Sequence, residues 1–293
     1  MMTPRRTRRI RMGFILNWKT HVLDLSRRTH IMGVVNVTPD SFSDGGHYFE
    51  TDKAVEHGLQ MARDGADIID IGGESTRPYS KSISVAEETD RVIPVIEALC
   101  KEITTPISID TCKARVAEEA LKAGASVIND ISALRFDEKM AQTAAEAGVP
   151  VIVMHMKGAP GSMQDNPVYK NLISEILDFL RDAVDRCESA GIRRDLTVVD
   201  PGIGFGKTFD HNLQIIRDLA QFKVIGCPVL IGPSNKAFIG HILEREPHER
   251  DTGTMAAVAA SVMNGADMVR VHNVKKAVET IKIIDAIQRG SVG

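Results

Sequence analysis

A single (β/α)8 barrel of the TIM type with a short N-terminal extension is the fold the sequence predicts. Three observations lead there: eight short β-branched runs alternate with helical segments, a glycine-led tripeptide recurs before several runs, and almost every run ends on a polar residue. The runs are residues 31–37, 67–71, 106–110, 126–130, 150–155, 196–200, 228–232 and 267–271. Between them, apolar residues recur with helical spacing, as in Val85, Val92, Val95, Ile96 and Leu99, and in Leu172, Ile176, Leu177, Leu180 and Val184. Strands that alternate with helices form βαβ units around a parallel sheet. Eight units in a row favour a closed barrel over an open sheet, and 293 residues suit one such domain, which typically needs about 250. The recurring tripeptide is Gly65-Ala66-Asp67, Gly124-Ala125-Ser126 and Gly265-Ala266-Asp267. Each glycine is expected to end a helix in a left-handed conformation just before the next strand. Residues 14–24 read as a small hairpin at the barrel bottom, and the chain divides into a basic extension, 1–21, and a barrel domain, 22–293.

Composition narrows the function classes. Apolar residues make up 43% of the chain, enough for a full core, and a formal net charge of -3 gives no global field for nucleic acid. Arg5, Arg6, Arg8, Arg9 and Arg11 crowd the start, without interleaved aromatics, and read as a solvated tail. No apolar run approaches the roughly 20 residues of a membrane span, so neither nucleic acid nor a membrane is an expected partner. Cys100, Cys112, Cys187 and Cys227 form no CxxC pair, which suits a reducing cytoplasm and neither a disulfide framework nor a structural zinc site.

The polar strand ends are Asn36, Asp70, Asp110, Asn129, His155, Asp200 and Arg270, with His272 two residues beyond the last. Strands buried on both faces read as apolar runs, so a polar exit needs a reason. One such residue is as often a cap as a functional group; seven of eight on one barrel face mark the end that carries the active site in barrel enzymes. The loops after the first, second and sixth runs are rich in glycine, proline and small hydroxyls, the composition of segments that approach a ligand closely. Gly204-Phe205-Gly206-Lys207 lacks the spacing of a nucleotide-binding P-loop. The residues suit a ligand with two unlike ends. Arg270 and His272, with Asn36 across the mouth, suit a phosphate or diphosphate, and the neutral Asn36 oxygen can also ligate Mg2+, which usually binds through substrate phosphates. Asp110, Asn129 and Asp200 offer acceptors to a heterocycle with several N–H donors, and Lys236 can donate to a ring carbonyl.

These motifs resemble those of a known family. Met32-Gly33-Val34-Val35-Asn36-Val37-Thr38-Pro39-Asp40-Ser41-Phe42-Ser43-Asp44-Gly45-Gly46 is similar to the first signature of the dihydropteroate synthases, and Gly72-Gly73-Glu74-Ser75-Thr76-Arg77-Pro78 to the second. Ser108-Ile109-Asp110-Thr111, Ile128-Asn129-Asp130-Ile131, Met154-His155-Met156-Lys157-Gly158, the stretch from Asp200 to Lys207, and Arg270-Val271-His272 follow in the family's order, across residues 22–288. The resemblance implies condensation of 6-hydroxymethyl-7,8-dihydropterin diphosphate with 4-aminobenzoate, giving dihydropteroate and diphosphate. It implies Mg2+ on Asn36 and a pterin pocket of Asp110, Asn129, Asp200, Phe205 and Lys236. It further implies a diphosphate held by Arg270 and His272, Thr76 and Arg77 at the aminobenzoate, and a homodimer. Asp110, Lys236, Arg270 and His272 are the residues expected to act on the reacting groups.

Departures from the family pattern cluster on the seventh loop, where Asn235 stands for a usual Arg and Ala237 for a frequent Ser, both on the amine side; Asn273 and Tyr79 also differ. A related aromatic amine is therefore an alternative acceptor. Two other classes remain as rivals: a barrel methyltransferase that binds methyltetrahydrofolate and passes methyl to a corrinoid, against which the diphosphate-suited Arg270 and His272 argue, and a nucleic-acid binder using the arginine-rich start.

Overall fold

The computed structural model describes residues 13–38, 47–75, 80 and 82–291, and Thr76, Arg77 and most of the first loop lie outside these. All eight runs are strands: β3 (His30–Asn36), β4 (Ile68–Gly72), β5 (Ile107–Asp110), β6 (Val127–Asp130), β7 (Val151–Met154), β8 (Thr197–Asp200), β9 (Leu230–Ile231) and β10 (Met268–Val271). They form one eight-stranded sheet in the order β8-β7-β6-β5-β4-β3-β10-β9, with every pairing parallel. A parallel bridge from Val199 to Val229 joins β8 to the segment leading into β9, and Val199 N–H donates to Pro228 O at 2.9 Å. The sheet thereby closes into the expected barrel. β9 is shorter than the run suggests because Pro228 and Pro233 flank it, and proline supplies no ladder N–H.

Helices α1 (His47–Asp64), α2 (Val85–Glu102), α3 (Ala114–Ala123), α4 (Met140–Ala147) and α5 (Leu172–Ser189) follow β3 to β7 in turn. After β8 come α6 (Phe209–Arg217), then α7 (Ala237–Leu243) and α8 (Asp251–Met263) after β9, and α9 (Val274–Arg289) after β10. Helix α2 shows how the pattern becomes structure. Ser84 caps it by accepting from Glu87 N–H at 3.1 Å, and Val92, Val95, Ile96 and Leu99 are all buried along one face. Each such side chain contributes roughly 1.5–3 kcal/mol by leaving water. The three repeat glycines, Gly65, Gly124 and Gly265, have φ of 100°, 117° and 109°, the left-handed geometry expected of them.

A hairpin of β1 (Ile15–Trp18) and β2 (His21–Asp24) precedes the barrel. Its Leu16, Trp18 and Leu23 are buried in the main core, and β1 contacts the 3-10 turn Arg194–Leu196 that leads into β8. It therefore lies at the N-terminal end of the strands, the bottom, and residues 21 and 22, between which the sequence reading divides the chain, both lie in β2. Among the described residues no helix is long and apolar enough to cross a membrane, and the four cysteines are free thiols.

Candidate active site

The carboxyl ends of the strands bring together a pocket lined by Asp110, Asn129, Ile131, Met154, Asp200, Ile203, Phe205, Gly232, Lys236 and Arg270. Parallel pairing sets its walls in register: Asp110 on β5 lies opposite Asn129 on β6, and Met154 on β7 opposite Asp200 on β8. Arg270 comes from β10 on the other side of the barrel, paired with Met32. One wall is apolar, because Ile131, Met154, Met156 and Met163 form a small buried cluster against which Phe205 packs. Lys236 brings a cation to this same side: its Nζ stands 4.5 Å from the Phe205 ring centroid.

The polar groups hold one another. Arg270 Nε donates to Asp70 Oδ2 at 2.7 Å and its Nη2 to Asp110 Oδ2 at 2.7 Å, while Asn129 Nδ2 donates to Asp70 Oδ2 at 3.0 Å. Burial works against the Arg270 charge, but the two carboxylates outweigh it and leave its pKa raised. One guanidinium between two buried carboxylates still leaves an excess negative charge. Burial accordingly pushes Asp110 up, against the pull of Arg270 and with the help of Asp70. Asp200 is pushed up to about 6 by burial, opposed by the Gly202 N–H and by Lys236. Lys236 is pulled down to about 8 by burial and by Arg270.

The sixth loop is fixed by glycine and by a buried lysine. Asp200 Oδ1 accepts from Gly202 N–H at 2.7 Å, and Gly202 has φ of 72° with its α-carbon so near the His155 carbonyl that a Cβ would sit 2.0 Å from the oxygen. Lys207, 2% exposed, directs Nζ to His155 Nδ1 at 2.9 Å and donates to Phe205 O at 2.9 Å. His155 is a strand-end residue that does not enter the pocket: it packs edge-on against Phe179 and bonds Lys207. Burial, then Lys207 and Arg135, hold its pKa at about 2, so it is neutral and accepts from the lysine.

Asp110, Asn129, Asp200, Phe205, Lys236 and Arg270 are thus gathered in one place, as the sequence leads one to expect. His272 stands just beyond β10, with Nδ1 2.8 Å from Ser234 Oγ, and the partly exposed Asn36 ends β3, the direct neighbour of β10, so it stands on the adjoining strand and not across the mouth from Arg270 and His272. Thr76 and Arg77 lie outside the described residues. The apolar liners Ile131, Met154 and Ile203 were not singled out in the sequence, since an apolar residue at a strand exit is what a barrel core also requires; their adjacency to Asp130, His155 and Gly202 was the only signal. The seventh loop turns at Asn235, whose φ is 55° and whose side-chain oxygen accepts from Thr254 Oγ1 at 3.2 Å, on α8. A wider depression at the barrel bottom, lined by Thr20, His21, Val22, Leu23, Thr104 and Pro106, has no converging charged groups.

An α/β barrel whose strand ends converge on a pocket lined by carboxylates, a carboxamide, a lysine and an arginine has the arrangement of a barrel enzyme's active site. Comparison with known proteins specifies it further. The family model described as "Pterin binding enzyme" matches residues 32–272. Dihydropteroate synthase of Bacillus subtilis is 46% identical over 279 residues, 95% of each chain. The solved structure of Yersinia pestis dihydropteroate synthase with a sulfonamide drug complex superposes with a TM-score of 0.89 at 42% identity, covering 94% of this chain and 99% of that one. Xanthomonas albilineans dihydropteroate synthase with 4-aminobenzoic acid gives the same TM-score, identity and coverage. The chain belongs to the dihydropteroate synthase family of pterin-binding enzymes, the transferases of folate biosynthesis.

Proposed function

We propose that the chain joins 6-hydroxymethyl-7,8-dihydropterin diphosphate to 4-aminobenzoate, with loss of diphosphate, and that the pocket above is the pterin site. The observation that carries this is the convergence of three acceptor residues, Asp110, Asn129 and Asp200, in one pocket with Lys236 and the Phe205 ring. Asp200 and Asn129 accept from the N–H edge of the amino-pyrimidinone, Lys236 donates to the ring, and Phe205 with the methionine cluster covers its face. Asp110 offsets positive charge on the pterin. The conjugated ring lets the methylene C–O bond break ahead of amine attack; the C–N bond then forms, the amine gives up a proton, and the diphosphate leaves with the C–O electron pair. Arg270 and His272 stabilise that departing charge where it develops. The 4-aminobenzoate arrives on the side of the seventh loop, where Thr76 and Arg77 of the second loop meet it. The X. albilineans relative, solved with 4-aminobenzoic acid, supports this acceptor.

Mg2+ fits this scheme as a companion of the diphosphate. Asn36 offers one neutral oxygen, and among the described residues no three His, Cys, Asp or Glu side chains are grouped to hold an ion. Such a donor set suits a cation that keeps its waters and binds mainly through substrate phosphates. When bound there, Mg2+ neutralises charge on the leaving group. Excess chelator should abolish turnover while the empty protein binds Mg2+ only weakly; full activity in chelator counts against the assignment.

A homodimer is part of this reading. Helices α7, α8 and α9 pack in succession and expose Ile242, Leu243, Met263, Ile283 and Ile287, an apolar face suited to a second copy. Sedimentation should give a dimer that Ile283→Glu splits; a monomeric wild type removes it. Four free cysteines suit work in the cytoplasm. The primary experiment mixes purified protein with the pterin diphosphate and monitors diphosphate release with and without 4-aminobenzoate or substituted anilines. Release only when pterin diphosphate and 4-aminobenzoate are both present supports the assignment; release confined to another amine changes the acceptor, and no release overturns it.

A further inference from the structure

Asp70, inside β4, bonds two pocket liners and reaches a third through one of them, without lining the pocket itself. It sits on β4 opposite Ser108, two residues below the level at which Gly72 faces Asp110, and it is fully buried. Its Oδ2 accepts from Asn129 Nδ2 at 3.0 Å and from Arg270 Nε at 2.7 Å, and Arg270 carries the chain of bonds on to Asp110. Its Oδ1 bonds nothing among the described residues, so every side-chain bond that Asp70 makes is to the wall of the pocket.

We propose that Asp70 is a positioning residue that fixes which end of the Asn129 carboxamide faces the ligand. This rests on the reading of the pocket as the pterin site. An ionised carboxylate can only accept, whereas a carboxamide has a donor end and an acceptor end of the same size. Asp70 therefore takes the Asn129 NH2, and the Asn129 oxygen is left for the N–H donors of the heterocycle. The reversed amide would set two acceptor oxygens about 3 Å apart and forfeit a charge-assisted bond. The same carboxylate holds the Arg270 fork at Nε, so that Nη2 reaches Asp110 and the guanidinium plane is fixed across the pocket floor. One buried charge thus sets the orientation of two liners on strands that lie on either side of it, β6 and β10.

Asp70→Asn tests this with almost no change of shape. An asparagine at 70 can donate or accept, so it no longer dictates how Asn129 lies. The first readout is the Asn129 side-chain amide signal in 15N NMR of the ligand-free protein, assigned from its loss in Asn129→Ala. In the wild type it should be protected from exchange, and in Asp70→Asn it should shift and exchange faster. The second readout is calorimetric binding of 6-hydroxymethyl-7,8-dihydropterin to wild type, Asp70→Asn, Asn129→Ala and the double variant. Asp70→Asn should weaken binding roughly 10- to 100-fold, as for a lost charge-assisted contact, with KM for 4-aminobenzoate unchanged. The loss in the double variant should fall well short of the product of the single losses, because both changes remove the same oriented amide and only the loosening of Arg270 is left to add. An unaltered Asn129 signal, pterin affinity within about twofold of wild type, or independent multiplying losses would each overturn the proposal. If the wild type itself binds no pterin, the pocket reading fails while the NMR arm still reports the amide. Asp70→Ser, which also removes the charge, serves in the same assays if Asp70→Asn does not fold.

Discussion

In the pocket proposed for the pterin, each charged liner except Lys236 stands on a barrel strand and is bonded to a residue from another element or to the loop beside it; at the end proposed for the amine, Asn235 stands in a turn and Ala237 opens α7. Arg270 links β10 to β4 and β5, Asn129 links β6 to β4, and Asp200 is tied to the backbone of its own loop. The seventh loop, by contrast, has a left-handed residue at its centre and turns that side chain toward α8. The difference teaches where specificity is stored. Ladder bonds fix strand ends to their register, so the wall proposed for the pterin is preorganised before any ligand arrives, and the binding entropy it costs is small. The amine end depends on turns, which change with single substitutions.

The largest effect should come from the preorganised end. Asp200→Ala removes an acceptor from the pocket and leaves the Gly202 N–H without its partner. A loss of roughly 100-fold or more in kcat/KM for the pterin diphosphate is expected, as for a lost charge-assisted contact in a closed site. Steady-state kinetics check it, and near wild-type turnover with unchanged pterin affinity would remove Asp200 from the site.

The same wall should titrate. Asp200, pushed up to about 6, gains its acceptor charge as pH rises through that value, and Asp110, also raised, adds to the acid limb. Lys236, pulled down to about 8, loses its charge as pH rises through that value. The kcat/KM for pterin diphosphate should therefore be bell-shaped, highest between about 7, where Asp110 ionises, and about 8, falling about tenfold per pH unit on the alkaline flank and more steeply below pH 6, where both carboxyls are protonated. Lys236→Arg should carry the alkaline flank out of range, because a guanidinium stays charged. An alkaline flank that stays near 8 in that variant would assign it to another group.

A smaller effect is expected from Lys207, which touches the sixth loop and not the pocket. Lys207→Met leaves His155 Nδ1 and the Phe205 carbonyl without a donor but also removes a buried amine whose charged form burial disfavours. The two partly cancel, so about 1–2 kcal/mol of stability should be lost, with KM for pterin diphosphate rising roughly tenfold as Phe205 and Asp200 loosen. Thermal melts and kinetics together test this; unchanged KM in a destabilised protein would confine Lys207 to folding.

The contrast between the two ends also explains what was legible in the sequence. All eight strands, the hairpin and the left-handed glycines followed from local patterns, because β-branched runs and glycine placement answer to short-range sterics. Asp110, Asn129 and Asp200 stood out because a polar residue at the exit of a buried strand is costly without a purpose. What the sequence did not carry was partnership. Nothing in the spacing of Asp70 and Arg270, 200 residues apart, says that they share a bond. Likewise, His155 was a strand-end residue like the others until Lys207, 52 residues later, drew it aside.

Asn235→Arg should have the smallest effect and tests the loop end most directly. Asparagine tolerates the left-handed backbone at 235 and anchors the turn through Thr254, with Thr254 Oγ1 also accepting from its N–H at 3.1 Å. Arginine gives up the side-chain anchor and pays for the left-handed conformation, together about 2 kcal/mol of stability. In return a guanidinium clamps a carboxylate through two parallel bonds, which a neutral amide cannot do. The net gain should be modest: KM for 4-aminobenzoate about fivefold lower, from a charged contact partly offset by that strain, with pterin diphosphate affinity unchanged. If Arg77 already supplies the cation, Asn235→Arg alone will gain nothing, and the gain will emerge only in an Arg77→Ala background. Kinetics of both single variants and the double one separate these outcomes. A change confined to the pterin constant would move the seventh loop out of the amine end and dissolve the division between the two ends.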